Sequence, residues 1–133
     1  MFKQGPIPAF VHGLVEYLAA ALLIAAPFLF DFDDDTATAV SIVAGVLVLV
    51  VTASTALPTG LIKSIPVQAH VIIDYLVALV LIASPFLFGF TGDGTATAFF
   101  IVLGVVHLLV TIATRFVSEG ARPAAADSRG RVR

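Results

Sequence analysis

Two histidine–carboxylate pairs dominate what this sequence could do chemically: His12 with Glu16, and His70 with Asp74. The spacing is four residues in both, which in a helix stacks the two side chains on one face, a turn apart. Tyr17 and Tyr75 follow the two acids directly. They sit about 100° further round the helix, where their hydroxyls are further donors for the same network. A third histidine, His107, has only Val and Leu around it.

Imidazole beside carboxylate in a dry interior can form a hydrogen-bonded ion pair, relay a proton, or ligate a metal. The plainest of these is a closed polar network that fixes the register of neighbouring helices, at about 1 kcal/mol per bond. If a metal is held, its ligands are His12, Glu16, His70 and Asp74, although metal centres in helical bundles more often use Glu-x-x-His spacing with more carboxylates. A haem between His12 and His70 is a formal option, with few small residues there to make room for it. The sequence implies no cofactor, and the cofactor is left unknown. His107 falls at the depth of Asp74, either as its partner or as a hydrogen-bonded core residue.

The elements that carry these groups are apolar runs. The chain is 133 residues long, 59% hydrophobic and 12% charged, against about 45–50% and about a quarter in soluble domains. Residues 9–30 carry one charge, Glu16, and 64–88 carry one, Asp74; 36–62 and 94–114 carry none. About 20 apolar residues span a bilayer core of roughly 30 Å, so four spans are expected. A soluble bundle would need polar faces that these runs lack. The first run resembles a secretory signal in outline, but Glu16 interrupts it and the same segment recurs internally. There is no cysteine, which excludes thiolate metal sites and disulfides. Phosphate loops and nucleophile elbows are also missing from the sequence, and nucleic acid is not an expected partner.

That recurrence sets the architecture. Ile7-Pro8 through Phe32 returns as Ile65-Pro66 through Phe90, sharing Pro8/Pro66, His12/His70, Tyr17/Tyr75, Pro27/Pro85 and the Phe-Leu-Phe that follows. The expected fold is all-α: a four-transmembrane-helix bundle of two parallel-repeated hairpins about a pseudo-two-fold axis along the membrane normal. The first repeat occupies 1–58, with spans at about 8–27 and 36–57. The second occupies 59–117, with spans at about 66–86 and 95–116, and a polar basic tail occupies 118–133. Ala26 is the expected end of the first helix, since a residue before proline is pushed from helical angles. Asp35 or Thr36 is the expected cap of the second helix. Ala37, Ser41 and Gly45 form a small-residue stripe along it that admits a close neighbour. The axis pairs His12 with Asp74 and His70 with Glu16, unless each pair closes within its own helix.

All seven basic residues, Lys3, Lys63, Arg115, Arg122, Arg129, Arg131 and Arg133, fall on one side of the expected topology. Asp31, Asp33, Asp34, Asp35 and Asp93 fall on the other. The positive-inside rule therefore places both termini and the Lys63 loop in the cytoplasm.

Ser84-Pro85-Phe86-Leu87-Phe88-Gly89-Phe90, between two apolar helices, resembles the SPW-repeat membrane proteins, small two-span units of bacteria and archaea named for a Ser-Pro-Trp motif. Phe86 stands in place of the tryptophan, and the first copy reads Ala26-Pro27-Phe28. The resemblance covers roughly residues 7–116; it implies the fold and a bacterial or archaeal origin, hence a place in the cytoplasmic (inner) membrane of such a cell, and carries over no activity and no catalytic residue. The expected function is that of a non-enzymatic membrane protein acting by helix packing. Its partners are the lipid bilayer and either copies of itself or a larger membrane complex. The alternative is a small transporter or a proton- or metal-handling protein that uses the His/acid pairs.

Overall fold

The computed structural model describes residues 5–116. The expectations for the 118–133 tail, and for Lys3, Arg122, Arg129, Arg131 and Arg133, lie outside the described residues. Four helices fill the described chain: α1 (Ala9–Leu29), α2 (Asp35–Ala53), α3 (Val67–Leu87) and α4 (Gly94–Ala113). Each is long and apolar enough to cross a membrane, at 1.5 Å of rise per residue. Two short strands, β1 (Ile7–Pro8) and β2 (Thr114–Arg115), complete the fold.

Four boundaries differ from expectation, each for a local reason: the ends of α1 and α2, the cap of α2, and the end of α4, at Ala113 instead of Phe116. α1 does not stop at Ala26 but passes through Pro27 to Leu29. Proline removes only its own N–H, and the residues beyond still reach back: Phe30 N–H to the Ala26 carbonyl at 2.8 Å and Phe32 N–H to that of Pro27 at 3.0 Å. Pro85 in α3 behaves alike, with Phe88 bonded to Ser84 and Phe90 to Pro85. The cap of α2 is Asp34, neither Asp35 nor Thr36; its Oδ1 accepts from Ala37 N–H at 3.0 Å. α2 ends at Ala53 instead of Leu57 because the chain there leaves the helix to meet the next one. Thr55 bridges Ile65 in parallel register, and Ala56 N–H bonds the Ile65 carbonyl at 2.9 Å.

α4 ends the same way. Thr114 and Arg115 pair in parallel with Ile7 and Pro8, so the start of each repeat is stitched to the end of the other repeat's last helix. The matched stitches at Ile7–Thr114 and Ile65–Thr55 repeat between the halves as a pseudo-two-fold requires.

Within a hairpin the helices pack closely. A Cβ on Gly45 would stand 2.8 Å from the Ala20 carbonyl oxygen of α1, and one on Gly104 would stand 3.0 Å from that of Ala78 in α3. Glycine is therefore what lets each pair approach. Between hairpins α1 meets α4, and α2 meets α3, at few positions. Two apolar grooves run there, of about 370 Å³ beside Leu22, Phe99 and Val106 and about 270 Å³ beside Ala44, Leu76 and Val80. An aromatic cluster joins the halves at one end, where Phe32 packs on Phe99 and Phe100 at ring-centroid distances of 5.7 and 6.5 Å, and Phe90 packs on Phe100 at 5.0 Å. The polar groups join them at the other.

Candidate functional site

His12 and Glu16 lie on the early turns of α1, and His70 and Asp74 on those of α3, all four fully or almost fully buried. They converge on one point. His12 Nε2 stands 3.0 Å from Asp74 Oδ2 and 3.3 Å from Glu16 Oε1. His70 Nε2 stands 3.2 Å from Asp74 Oδ2, and 3.2 and 3.1 Å from Glu16 Oε1 and Oε2. The pairing is thus both within and across the helices, and the four side chains form one quartet.

The other nitrogen of each ring is held by a threonine with no mark in the sequence as a site residue. His12 Nδ1 lies 2.8 Å from Thr114 Oγ1, and His70 Nδ1 lies 2.7 Å from Thr55 Oγ1. Each hydroxyl also reaches the carbonyl four residues back, Val110 at 2.5 Å and Val51 at 2.6 Å. A hydroxyl has one proton, and these short contacts commit it to the carbonyl. The threonine oxygen then accepts, the imidazole donates from Nδ1, and both Nε2 atoms are turned to the carboxylates. A third threonine, Thr52, has Glu16 Oε2 at 3.0 Å and the Val48 carbonyl four residues back at 2.7 Å, two acceptors for its one proton. One cue was present in the sequence: Thr52 and Thr55 near the end of α2 are matched by Thr111 and Thr114 near the end of α4.

The remaining expected members are placed differently. Tyr17 donates to the Thr59 carbonyl at 2.8 Å instead of joining the quartet, and Tyr75 is more than a third exposed. Their position a further 100° round the helix carries both rings off the buried face. His107 is buried, but its Nε2 is 3.8 Å from Asp74 Oδ1, beyond hydrogen-bond reach, and has no partner among the described residues. A cavity of about 10 Å³ lies among Glu16, Thr52, Asp74 and His107, at the lower limit for one water. A macrocycle does not fit there, so the haem option fails on space. Phe116 covers the quartet from its own end, 4.8 Å from the His12 ring and 6.5 Å from that of His70 between centroids. Beyond it opens a cleft of about 400 Å³ lined in part by Pro8, Pro58 and Arg115.

At the far end of the bundle Asp93 makes a second polar tie. Its Oδ1 caps α4 through Ala96 N–H at 3.0 Å, while Oδ2 accepts from Asp33 and Asp34 N–H of the other hairpin at 2.8 and 3.1 Å. Burial alone would raise this carboxyl, but the backbone donors of Ala96, Asp34, Asp33 and Thr95 outweigh it and hold the group below its ordinary value of 3.8. From sequence, Asp93 was only one of the loop charges.

A family model described as the SPW repeat domain matches residues 10–114. No curated protein and no solved structure matches the chain.

Proposed function

The chain belongs to the SPW repeat family, and from that premise we propose that this small multi-pass membrane protein works by packing: two hairpins are clasped by the buried quartet, and their outer faces serve self-association or a larger membrane complex. The observation that carries the proposal is that five N···O contacts of 3.0–3.3 Å join four side chains of both hairpins, beside a cavity of about 10 Å³. A flux through the acids needs a wetted route, and this cavity is one water wide at most. Exposed Leu18, Phe28, Val43, Ile72, Val102 and Leu109 offer lipid or partner helices an apolar coat. The protein performs no reaction in this reading.

The membrane is the cytoplasmic one, with the quartet end and both termini on the cytoplasmic side. Lys63 and Arg115 at that end, with Asp31, Asp33, Asp34, Asp35 and Asp93 at the other, support this orientation. Because the chain has no cysteine, single cysteines at Lys63 and Asp33 can be labelled with an impermeant thiol reagent in intact cells. Asp33→Cys should react and Lys63→Cys should be protected; the reverse pattern inverts the topology.

The packing role is tested by the joint change Glu16→Gln and Asp74→Asn in the full chain. Opening a buried charge network by removing one side of it costs about 3–5 kcal/mol, so a large fall in the unfolding midpoint in detergent and loss of assembled mass are expected. If the variant keeps its midpoint and mass while a proton or metal flux present in the parent disappears, the packing role is wrong.

A further inference from the structure

We propose that His12, Glu16, His70 and Asp74 bind one divalent ion of the zinc type, in tetrahedral coordination through both Nε2 atoms, Glu16 Oε1 and Asp74 Oδ2. The proposal deepens the clasp reading and rests on it for one point only, that these side chains form a single closed site.

The geometry points there first. Zinc takes nitrogen and oxygen ligands at about 2.0–2.2 Å, so the edges of a regular tetrahedron around it are about 3.3–3.6 Å. With Glu16 Oε1 and Asp74 Oδ2 as the ligand oxygens, the four N···O edges measure 3.0, 3.2, 3.2 and 3.3 Å; Glu16 Oε2 is a further 3.1 Å from His70 Nε2, and one ligand atom from each residue can be chosen so that all lie within 4.8 Å of one another. Two imidazoles and two carboxylates are a borderline-hard donor set suited to such an ion.

The alternative filling is two protons, one on each Nε2. Each N–H points in one direction, yet each Nε2 has a carboxylate oxygen of both acids at nearly the same distance, so one contact of each pair is poorly served. The two resulting imidazolium rings would also face each other with centroids 5.9 Å apart. A single ion serves all four contacts, and its two positive charges cancel the two carboxylates inside an apolar bundle, where uncompensated charge is most costly.

The outer partners are an independent observation. Ligating histidines in metal sites donate their second nitrogen to a fixed acceptor, which sets the tautomer and aims the lone pair at the ion. Thr114 and Thr55 do this for His12 and His70. The second oxygen of Glu16, Oε2, lies 3.1 Å from His70 Nε2 and 3.0 Å from Thr52 Oγ1, whose proton it shares with the Val48 carbonyl at 2.7 Å. Beside the non-ligating oxygen of Asp74 stands His107, buried, with its Nε2 at 3.8 Å and unpartnered among the described residues, and the small cavity alongside.

The test uses the full chain, purified through a tag without histidine, stripped with a chelator and titrated with Co²⁺ and then Zn²⁺. Wild type should bind one Co²⁺ per chain with the intense visible bands of tetrahedral cobalt, and Zn²⁺ should abolish them. Thr114→Val and Thr55→Val keep all four ligands and the helices, and each should weaken Zn²⁺ binding about 10–100-fold. Asp74→Asn and His70→Gln should remove the cobalt bands. A helical wild-type protein without tetrahedral bands overturns the proposal, and so does binding that survives Asp74→Asn, His70→Gln or the threonine changes undiminished. If the acid and histidine variants fail to assemble, the threonine variants alone decide. The clasp is judged separately, by the melting of the Glu16/Asp74 variant without metal.

Discussion

Sixteen residues into the chain, Glu16 Oε2 shares the Thr52 hydroxyl with the Val48 carbonyl, at 3.0 and 2.7 Å; its counterpart Asp74 has Thr111 in the matching place, and among the described residues that hydroxyl bonds the His107 carbonyl alone, at 2.9 Å. One methylene separates the two acids. The shorter side chain leaves an oxygen facing His107, where the first hairpin has Val48. A second exchange lies at the proline breaks. Pro27 deprives the Leu23 carbonyl of its helical donor, and Ser41 from α2 supplies one at 2.5 Å. The second hairpin has Phe100 at that position, where it fills the aromatic cluster. The duplicated hairpins therefore share what clasps them, the histidines, the terminal threonines and the helix-contact glycines. They differ where one half repairs its own backbone and the other reaches across.

That contrast breaks most visibly at Phe100. Its ring is fully buried against Phe90, Phe32 and Phe99, and Phe→Ala in a packed core costs about 3–5 kcal/mol. Lipid is already apolar, so the lost packing counts more than the transfer, and about 3 kcal/mol is expected for Phe100→Ala in reversible unfolding from detergent. Ser41→Ala should cost far less. Equal losses at the two sites would mean that the aromatic cluster does not hold the halves together.

Asp93 and Asp34 are the next comparison. Both cap a helix, but only Asp93 also takes two N–H bonds from the other hairpin. Asp93→Ala should cost about 2 kcal/mol and Asp34→Ala about 1. The sign of the pH dependence follows from the direction of the shift. A carboxyl held below its ordinary value of 3.8 stabilises the fold above that pH, and the contribution is lost as pH falls through the lower folded value. Below about pH 4 the gap between wild type and Asp93→Ala should close, read from unfolding midpoints between pH 3 and pH 7.

Most of the fold was legible because lipid-length apolar runs and an internal repeat leave few arrangements. His12, Glu16, His70 and Asp74 stood out because ionisable groups are rare in such runs. The threonines did not. A threonine in an apolar helix returns its hydroxyl to its own backbone as a rule, and only tertiary closure shows that the same oxygens also receive the histidines. Asp93 looked like loop charge because nothing local distinguishes a residue that caps its own helix from one that also binds a distant loop. Pro27 misled in the other direction: the break it makes is in the carbonyl behind it, not in the residues ahead.

The smallest effect isolates that carbonyl. In the first hairpin Ser41 bonds Leu23, whose natural donor Pro27 lacks an N–H. In the second, Ser84 bonds Val80 at 2.6 Å, and Val80 is four residues back from a residue that has its own N–H to give. Ser84 therefore adds a second donor to an acceptor already served, whereas Ser41 supplies the first. Hydrogen bonds inside membrane bundles average about 0.6 kcal/mol and reach about 1.7; Ser41→Ala should lie near the upper figure, since it leaves a buried carbonyl bare, and Ser84→Ala below the lower. Val48→His, which gives the first hairpin the histidine of the second, controls for mere disturbance of α2 and should leave the Ser41 effect unchanged. If Ser84→Ala costs as much as Ser41→Ala, the serine of the motif acts through something other than the proline gap, and the division between the two hairpins falls at that position.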